Sequence, residues 1–338
     1  MMRCCNKIMG KCLVGIFLFI STGCEKAFDV KHPASDPVAV FDEFWNVLDQ
    51  HYSLFSIKSI NWADEYAVYR VKVNNNTSSD SLFRVLTQMS ATLKDGHVTL
   101  FTARDTFTYI GFFTDYPANF NYNNILHNYL NDVYKVNGPL IYKQVDNIGY
   151  IYYSSFAYGV ADADIDNTLN DLSHTKGLII DVRNNTGGNV LNADKIFSRF
   201  ITQKMLVKYE KIKKGTGHND FYDPEPHYVS PAGKAYTNPV VVLTNRHCFS
   251  ACNDFVLYMS QLSNVKIVGD RTGGGGSVPY NYLLSNGWKF QYSATITLSP
   301  QKEPIESGIV PDQYIQISQT DDNNGKDPII ENAFAYLN

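Results

Sequence analysis

The chain has 338 residues, a formal net charge of -4 at pH 7 and a hydrophobic share of 44%. This length and composition are typical of a globular protein with two domains or with one large α/β domain. Binding to nucleic acid requires clustered lysine and arginine, and the 29 basic residues form no such cluster against 33 acidic ones. Nucleic acid is therefore excluded as an expected partner.

The first 24 residues have the pattern of a secretory signal peptide, because basic residues precede an apolar run from Leu13 to Ile20. The run is too short to predict a membrane span. Gly23-Cys24 resembles a bacterial lipobox, although Ser21 stands where that pattern usually has leucine. We therefore predict lipid attachment at Cys24 and a location in a bacterial cell envelope, on the periplasmic or outer-membrane surface. An ordinary signal peptide and an uncleaved anchor are the alternatives.

The cysteines give no sign of a disulfide framework or a zinc site. Of the six, only Cys248 and Cys252 lie beyond Cys24. Their spacing has no supporting histidine or cysteine pattern, so no metal is predicted.

After the signal segment, residues 25–37 are polar and contain proline, which is typical of a tether. Apolar residues then recur at helical spacing and predict helices from Pro37 to about Tyr52, from Trp62 to Val73 and from Ser78 to about Leu93. These helices make up a predicted N-terminal module over residues 38–95. It is expected to pack against a core that spans residues 96–338.

From Gly96 onward the sequence favours strands that alternate with helices, which indicates βαβ units. The predicted strands are His97–Thr102, Ile148–Ser154, Gly177–Arg183, Pro239–Thr244 and Val265–Gly269. A helix is predicted after residues 184–188, and another over Ala251–Leu262. Asn286-Gly287 predicts a hairpin turn.

Polar segments at the ends of these elements carry the candidate chemistry. Ser250 lies between a buried strand and a helix, where it is either a simple helix cap or a nucleophile favoured by the helix N-terminus. Gly187 and Gly188 follow another buried strand and serve either a tight turn or an oxyanion site. His97 could supply the base that a serine needs, or it could be an ordinary core or surface histidine. Chain spacing alone does not show that His97 reaches Ser250.

Five motifs occur in an order that resembles the tail-processing/tricorn serine peptidases. They are DGH at 95–97, DVRNNTGG at 181–188, TN-x-x-x-x-SA at 244–251, VGDRTGGG at 268–275 and ESGIVPD at 306–312. The resemblance covers roughly Phe41 to Ile317. It implies an α/β fold with a crotonase/ClpP-like ββα superhelix core and a small helical N-terminal module. It further implies Ser250 as nucleophile, an oxyanion hole from Ala251 with Gly187 or Gly188, and no metal or organic cofactor.

The departures from the family pattern concern the base. One branch uses a lysine after the serine, but residues 272–276 read TGGGG, and Lys266 lies outside the motif. The tricorn-like branch uses a histidine in the DGH segment, which implies His97. A glutamate near the last motif helps to orient that site, and Glu306 matches it, with Glu303 as the rival.

Many relatives carry a PDZ domain between the helical module and the core. Residues 102–148 are too few for such a domain, and their many tyrosines and asparagines predict a lid or a substrate wall instead. His247 is either a second base or a surface residue, and Cys252 is expected to be buried packing rather than a nucleophile.

The sequence thus predicts an exported serine-type peptidase, either an endopeptidase or a carboxy-terminal-processing enzyme, that acts on peptide or protein substrates. The alternative is a non-catalytic lipoprotein that binds a peptide or another ligand on the same scaffold. The sequence does not indicate an oligomeric state.

Overall fold

The computed structural model of the chain describes residues 36–338. The predicted signal peptide, Cys24 and nearly all of the predicted tether lie outside the described residues. Within residues 36–338, no helix combines the length and the apolar composition that a bilayer crossing requires.

The described residues contain short and medium-length helices and strands. The helices are α1 (Pro37–His51), α2 (Phe55–Lys58), α3 (Trp62–Arg70), α4 (Ser79–Thr92), α5 (Gly111–Thr114), α6 (Tyr122–Asn124), α7 (Asp162–Asp171), α8 (Val190–Phe197), α9 (Ala251–Met259), α10 (Gln319–Asn323) and α11 (Pro328–Leu337). The strands are β1 (Thr99–Phe101), β2 (Thr106–Thr108), β3 (Lys135–Asn137), β4 (Leu140–Val145), β5 (Ile148–Tyr153), β6 (Gly177–Asp181), β7 (Met205–Ile212), β8 (Glu225–Val229), β9 (Val240–Thr244), β10 (Val265–Gly269), β11 (Pro279–Leu283), β12 (Lys289–Ser293), β13 (Thr295–Leu298) and β14 (Gln313–Tyr314). A single π-helical turn, Ile125–Tyr129, follows α6.

Helices α1 to α4 form the N-terminal helical region, and three of them match the sequence prediction closely. Side-chain caps fix two starts, because Asp36 accepts from the Val38 N–H and Ser78 accepts from the Ser81 N–H. Helix α2 was not predicted. It is a single turn, too short for apolar periodicity to reveal it.

The helical region has no hydrophobic core of its own. Its apolar faces pack on a sheet with the strand order β11-β12-β1-β2, and the rings of Phe44 and Phe290 are 4.7 Å apart. The predicted hairpin turn is confirmed, since Gly287 joins β11 to β12 with a φ of 84°. Residues near the start of the chain are therefore held directly against segments that come much later.

The main sheet has seven strands in the order β14-β10-β9-β6-β5-β4-β3. Strands β5, β6, β9, β10 and β14 run parallel. Beyond β5, β4 pairs antiparallel with β5 and β3 pairs antiparallel with β4. Helices α7, α8 and α9 cover one face and α11 covers the other. Strands β6 and β9 are buried throughout, as their continuous apolar runs predict. A third sheet has the order β13-β7-β8.

The predicted insert, residues 102–148, does not form a separate domain. Its last part contributes β3 and β4 to the edge of the main sheet. Its first part runs alongside the segment that leads to Ser250, where the rings of Phe112 and Phe249 stack 4.3 Å apart. The last part of the insert therefore forms an edge of the main sheet, and its first part forms one wall of a cleft that is described below.

The parallel pairing of β6 with β9 brings together the two loops that follow these strands. Asn184 donates its N–H to the Asn245 side chain at 3.0 Å, and the Asn245 amide donates back to Asn184 Oδ1 at 2.8 Å. These reciprocal bonds hold the glycine-rich loop next to the segment that leads to Ser250.

Candidate active site

Ser250 immediately precedes α9, and its backbone adopts an unusual conformation. Its φ of 57° and ψ of -125° are unfavourable for a residue with a side chain, and strain of this kind is common at functional sites. The Ser250 N–H donates to the Gly274 carbonyl at 2.9 Å, which holds the turn. Ser250 occupies the N-cap position of α9, but its hydroxyl makes no capping bond to the helix, so a side-chain cap does not account for the serine.

The structure brings His97 and Ser250 together. Nε2 of His97 lies 3.1 Å from the Ser250 hydroxyl, within hydrogen-bonding distance. Asp95 accepts the His97 N–H at 2.8 Å and the Ser293 hydroxyl at 2.7 Å, which ties the turn to β12. A side chain at Gly96 would collide with two packed rings, since its Cβ would lie 2.6 Å from Phe112.

The environment of His97 favours the neutral imidazole. The side chain is buried, and burial lowers its pKa below the ordinary value, although Asp95 and Asp254 oppose this change. Neutral imidazole can accept a proton from a serine hydroxyl. Nδ1 of His97 is also buried, and it has no hydrogen-bond partner among residues 36–338.

Glu306 lies in the same buried region but does not bond to His97. Its carboxylate contacts Lys58 Nζ at 2.8 Å and accepts the Gly276 N–H at 3.0 Å. Burial raises the pKa of Glu306 to about 7, and Asp95 adds to this rise, whereas Lys58 and the Gly276 N–H oppose it. The rival Glu303 is exposed in a turn beside Ser299.

The glycine-rich loop supplies one free amide beside Ser250. Gly187 donates its N–H to Asn185 Oδ1 at 3.0 Å, so this amide is already engaged. The N–H groups of Gly188 and Ala251 have no acceptor within the part of the chain that the structure describes. Of the two glycines, Gly188 is therefore the one with a free donor.

Gly187 has a different part in the same loop. A Cβ at this position would lie 2.5 Å from the Phe249 carbonyl oxygen, 2.8 Å from Ser250 Cβ and 2.9 Å from the Ala251 nitrogen. Its φ of 91° is also in the region that favours glycine. Glycine is thus needed for the close approach of this loop to Ser250.

The other candidates from the sequence lie away from the serine hydroxyl. His247 packs on the Phe113 ring at 3.9 Å and is not bonded to Ser250. The prediction for Cys252 is confirmed, since its thiol is buried against the Val182 carbonyl. Lys266 Nζ lies 4.6 Å from the Tyr336 ring centroid, on β10.

Two charged residues of the DVRNNTGG motif are structural. Arg183 is fully buried and pairs with Asp181 at 2.6 Å and with Asp327 at 2.8 Å. Asp327 also caps α11 by accepting two backbone N–H groups. This network holds the end of β6 to the C-terminal helix, so these charges are not available for chemistry at Ser250.

A cleft of about 310 Å³ borders the segments that carry His97 and Ser250. Its lining includes Lys58, Tyr109, Phe112, Arg246 and Glu306. Sequence reasoning missed Lys58, which belongs to no motif and stands at the end of the unpredicted helix α2. A larger cleft of about 530 Å³, between α7 and residues 233–238, contains none of the predicted site residues.

Comparison with known proteins identifies the family. The pattern of peptidase family S41 matches residues 147–315, about half of the chain. The chain belongs to peptidase family S41. The pattern of the tricorn protease C1 domain also matches, over residues 33–91. The family resemblance inferred from the five motifs is thereby confirmed.

Solved structures of other proteins show the same fold. A candidate peptidase from Parabacteroides merdae ATCC 43184 is 42% identical, with a TM-score of 0.86 over 89% of this chain and 96% of that one. Mature CPAF complexed with lactacystin is 11% identical, with a TM-score of 0.67 over 89% of this chain and 97% of that one. The second likeness bears on the fold alone. The predicted fold class, an α/β core with a helical N-terminal region, is confirmed.

Curated relatives of this S41 chain include the carboxy-terminal processing protease CtpB of Bacillus subtilis (strain 168). It is 28% identical over 181 residues, which cover 53% of this chain and 35% of that protein. A carboxyl-terminal-processing protease of Synechocystis sp. (strain ATCC 27184 / PCC 6803 / Kazusa) is 26% identical over 173 residues, covering 50% of this chain and 38% of that protein. The chain thus spans little more than a third of the length of the curated relatives that it matches.

Proposed function

We propose that this S41 chain is a serine peptidase that hydrolyses peptide bonds with Ser250 as nucleophile and His97 as base. The observation that carries the proposal is the 3.1 Å contact between His97 Nε2 and the Ser250 hydroxyl. The strained backbone of Ser250 and the lowered pKa of His97 support it, because both suit an activated serine. A carrier protein would have no need of either, so the enzyme is favoured over the binding alternative.

The reaction is acyl transfer. Ser250 Oγ forms a bond to the substrate carbonyl carbon while His97 Nε2 accepts the hydroxyl proton. The developing oxyanion is stabilised by the free N–H groups of Gly188 and Ala251. His97 then protonates the leaving amine as the peptide bond breaks. Water, deprotonated by His97, releases the acyl group from Ser250.

Glu306 is the acidic residue that we assign to this site, in place of Glu303. Its burial, with Asp95 among the charges that act on its carboxylate, supports the choice. It does not bond to His97, so its influence on the imidazole is exerted through the charge and the geometry of the buried cluster. The names of the curated relatives favour processing of protein carboxyl termini, and we extend that substrate class to this chain as part of the proposal.

Labelling with a fluorophosphonate probe tests the nucleophile. Wild-type protein is expected to be labelled covalently, and Ser250→Ala is expected to abolish labelling because the attacking oxygen is removed. Ser260→Ala is the matched control, since Ser260 caps the other end of α9. Labelling that persists in Ser250→Ala would contradict the assignment, and so would equal loss in Ser260→Ala.

We further propose that the protein is exported and lipid-anchored in the cell envelope through Cys24. The basic start, the apolar run and the Gly23-Cys24 pair support this proposal. In cells fed a palmitate analogue, wild type is expected to incorporate the label and Cys24→Ala to lose it, while Cys12→Ala keeps it. Equal incorporation in the Cys24→Ala variant would refute lipid attachment at this residue.

A further inference from the structure

Lys58 is a charged residue in a largely buried position close to the proposed active site. It ends α2 in the helical region, and only 16% of its side chain is exposed. The proposed reaction does not use it, and no sequence motif includes it.

The ammonium group of Lys58 joins two loops that are far apart in sequence. It contacts Glu306 Oε1 at 2.8 Å and donates to the Lys94 carbonyl at 3.1 Å. Lys94 has a φ of 47° and immediately precedes the Asp95-Gly96-His97 turn. One side chain therefore fastens the His97 turn to the segment that carries Glu306.

The Glu306 segment in turn supports the nucleophile. The Glu306 carbonyl accepts the Gly275 N–H at 3.4 Å, and the Gly274 carbonyl accepts the Ser250 N–H at 2.9 Å. A short path of hydrogen bonds thus runs from Lys58 through Glu306 and the Gly274-Gly275 peptide to Ser250. A movement of Lys58 would disturb both the base and the nucleophile.

The charges around Lys58 are mutually dependent. Burial by itself would lower the pKa of Lys58, but Glu306 and Asp95 raise it above the ordinary value, so the group stays cationic. Lys58 in turn opposes the rise in the pKa of Glu306. Tyr52 and Tyr109 also face this cluster, and both have raised pKa values, so they are neutral at neutral pH.

We propose that Lys58 is a positioning residue for the S41 reaction, supplied by the helical region, which fixes Glu306 as an anion and holds the His97 turn in register with Ser250. This proposal rests on the proposed function. It assigns to the helical region a direct part in the active site, in addition to its packing on the β11-β12-β1-β2 sheet.

The pH dependence of fluorophosphonate labelling separates this role from a structural one. In wild type, the labelling rate constant is expected to fall as the pH drops through about 7, where Glu306 takes up a proton. In Lys58→Met the Glu306 carboxyl loses its cationic partner, so its pKa rises further. The labelling rate constant is therefore expected to fall at a pH about 1 to 3 units higher than in wild type. Lys58→Arg keeps the charge and is expected to keep the wild-type profile.

Glu306→Gln shows whether Lys58 acts through Glu306. Because glutamine resembles the protonated carboxyl, this variant is expected to label at all pH values at the low rate that wild type reaches below about pH 7. Its remaining fall, caused by His97, is expected below pH 6.5, the ordinary pKa of histidine. Adding Lys58→Met to Glu306→Gln is expected to add only the smaller rise in the His97 pKa that follows from loss of the Lys58 charge, and not the shift of about 1 to 3 pH units seen in the single variant. The matched control is Lys72→Met, an exposed lysine of the same helical region, which should leave the profile unchanged.

Carbon-13 NMR titration of the Glu306 carboxyl provides a readout that needs no reactivity. The resonance is assigned by its loss in Glu306→Gln, and it is expected to titrate near pH 7 in wild type and higher in Lys58→Met. Wild-type titration at an ordinary glutamate pKa would overturn the proposal even if Lys58→Met fails to fold. Unchanged profiles in a folded Lys58→Met, or additive shifts in the double variant, would also overturn it. Absence of wild-type labelling would instead count against the proposed function, while the titration still tests Lys58.

Discussion

His97→Ala is expected to lower the rate constant of fluorophosphonate labelling by about 10⁴-fold or more, which is the scale on which serine hydrolases lose activity without their histidine. The imidazole is the group within bonding distance of the Ser250 hydroxyl, at 3.1 Å. Without it, the hydroxyl proton has no acceptor in the buried turn. The measurement is the second-order rate constant at pH 8, with thermal unfolding recorded in parallel.

His247→Ala is the matched control for His97. His247 is close to Ser250 in sequence but packs on Phe113, so a change of less than about threefold is expected. Its pKa is lowered by burial, as that of His97 is, so the two variants differ chiefly in position. The assignment of the base would be contradicted if His247→Ala lost reactivity and a folded His97→Ala kept it.

Gly187→Ala is expected to lower the same rate constant by about 10²-fold to 10³-fold, the loss that accompanies removal of an oxyanion donor. The added methyl group would lie 2.5 Å from the Phe249 carbonyl oxygen and 2.9 Å from the Ala251 nitrogen. Because these are backbone atoms, the loop must move, and the adjacent Gly188 amide moves with it. Labelling kinetics and thermal unfolding are measured on the same preparation.

Gly287→Ala is the control for backbone strain. Gly287 has a φ of 84°, close to the 91° of Gly187, but nothing lies within 4 Å of its added Cβ, in the turn between β11 and β12. It should lose a similar amount of stability from strain and keep its reactivity. Equal loss of reactivity in both variants would show that strain, and not the oxyanion loop, determines the effect of Gly187→Ala.

Much of the fold follows from the sequence because its signals are local. The apolar runs in β6, β9 and β10 and the spacing in α1, α3 and α4 predict these elements within a few residues. Helix α2 and the two-residue strand β14 carry too few residues for any periodicity. Their positions depend on packing between distant segments, which a single sequence does not reveal.

The candidate site is predictable only where a motif marks it. Ser250, His97 and Glu306 stand in the motifs, but the engagement of Gly187 by Asn185 depends on a side-chain conformation that no pattern encodes. Lys58 is separated from Glu306 by most of the chain, and a lone lysine in a one-turn helix has no signature. Asp181 and Arg183 stand in the motif that carries Gly187 and Gly188, but their buried ion pair serves structure, which the motif alone does not reveal.

Mass-spectrometric mapping of the fluorophosphonate adduct tests the central claim most directly. Trypsin is expected to release residues 247–266, because Arg246 precedes this segment and Lys266 ends it. The segment contains Ser250 together with Ser260 and Ser263, which serve as internal controls. We predict a single adduct, on Ser250, that disappears when His97 is replaced by alanine. An adduct on another residue, or an unmodified Ser250 in folded wild-type protein, would contradict the assignment of Ser250 as the nucleophile.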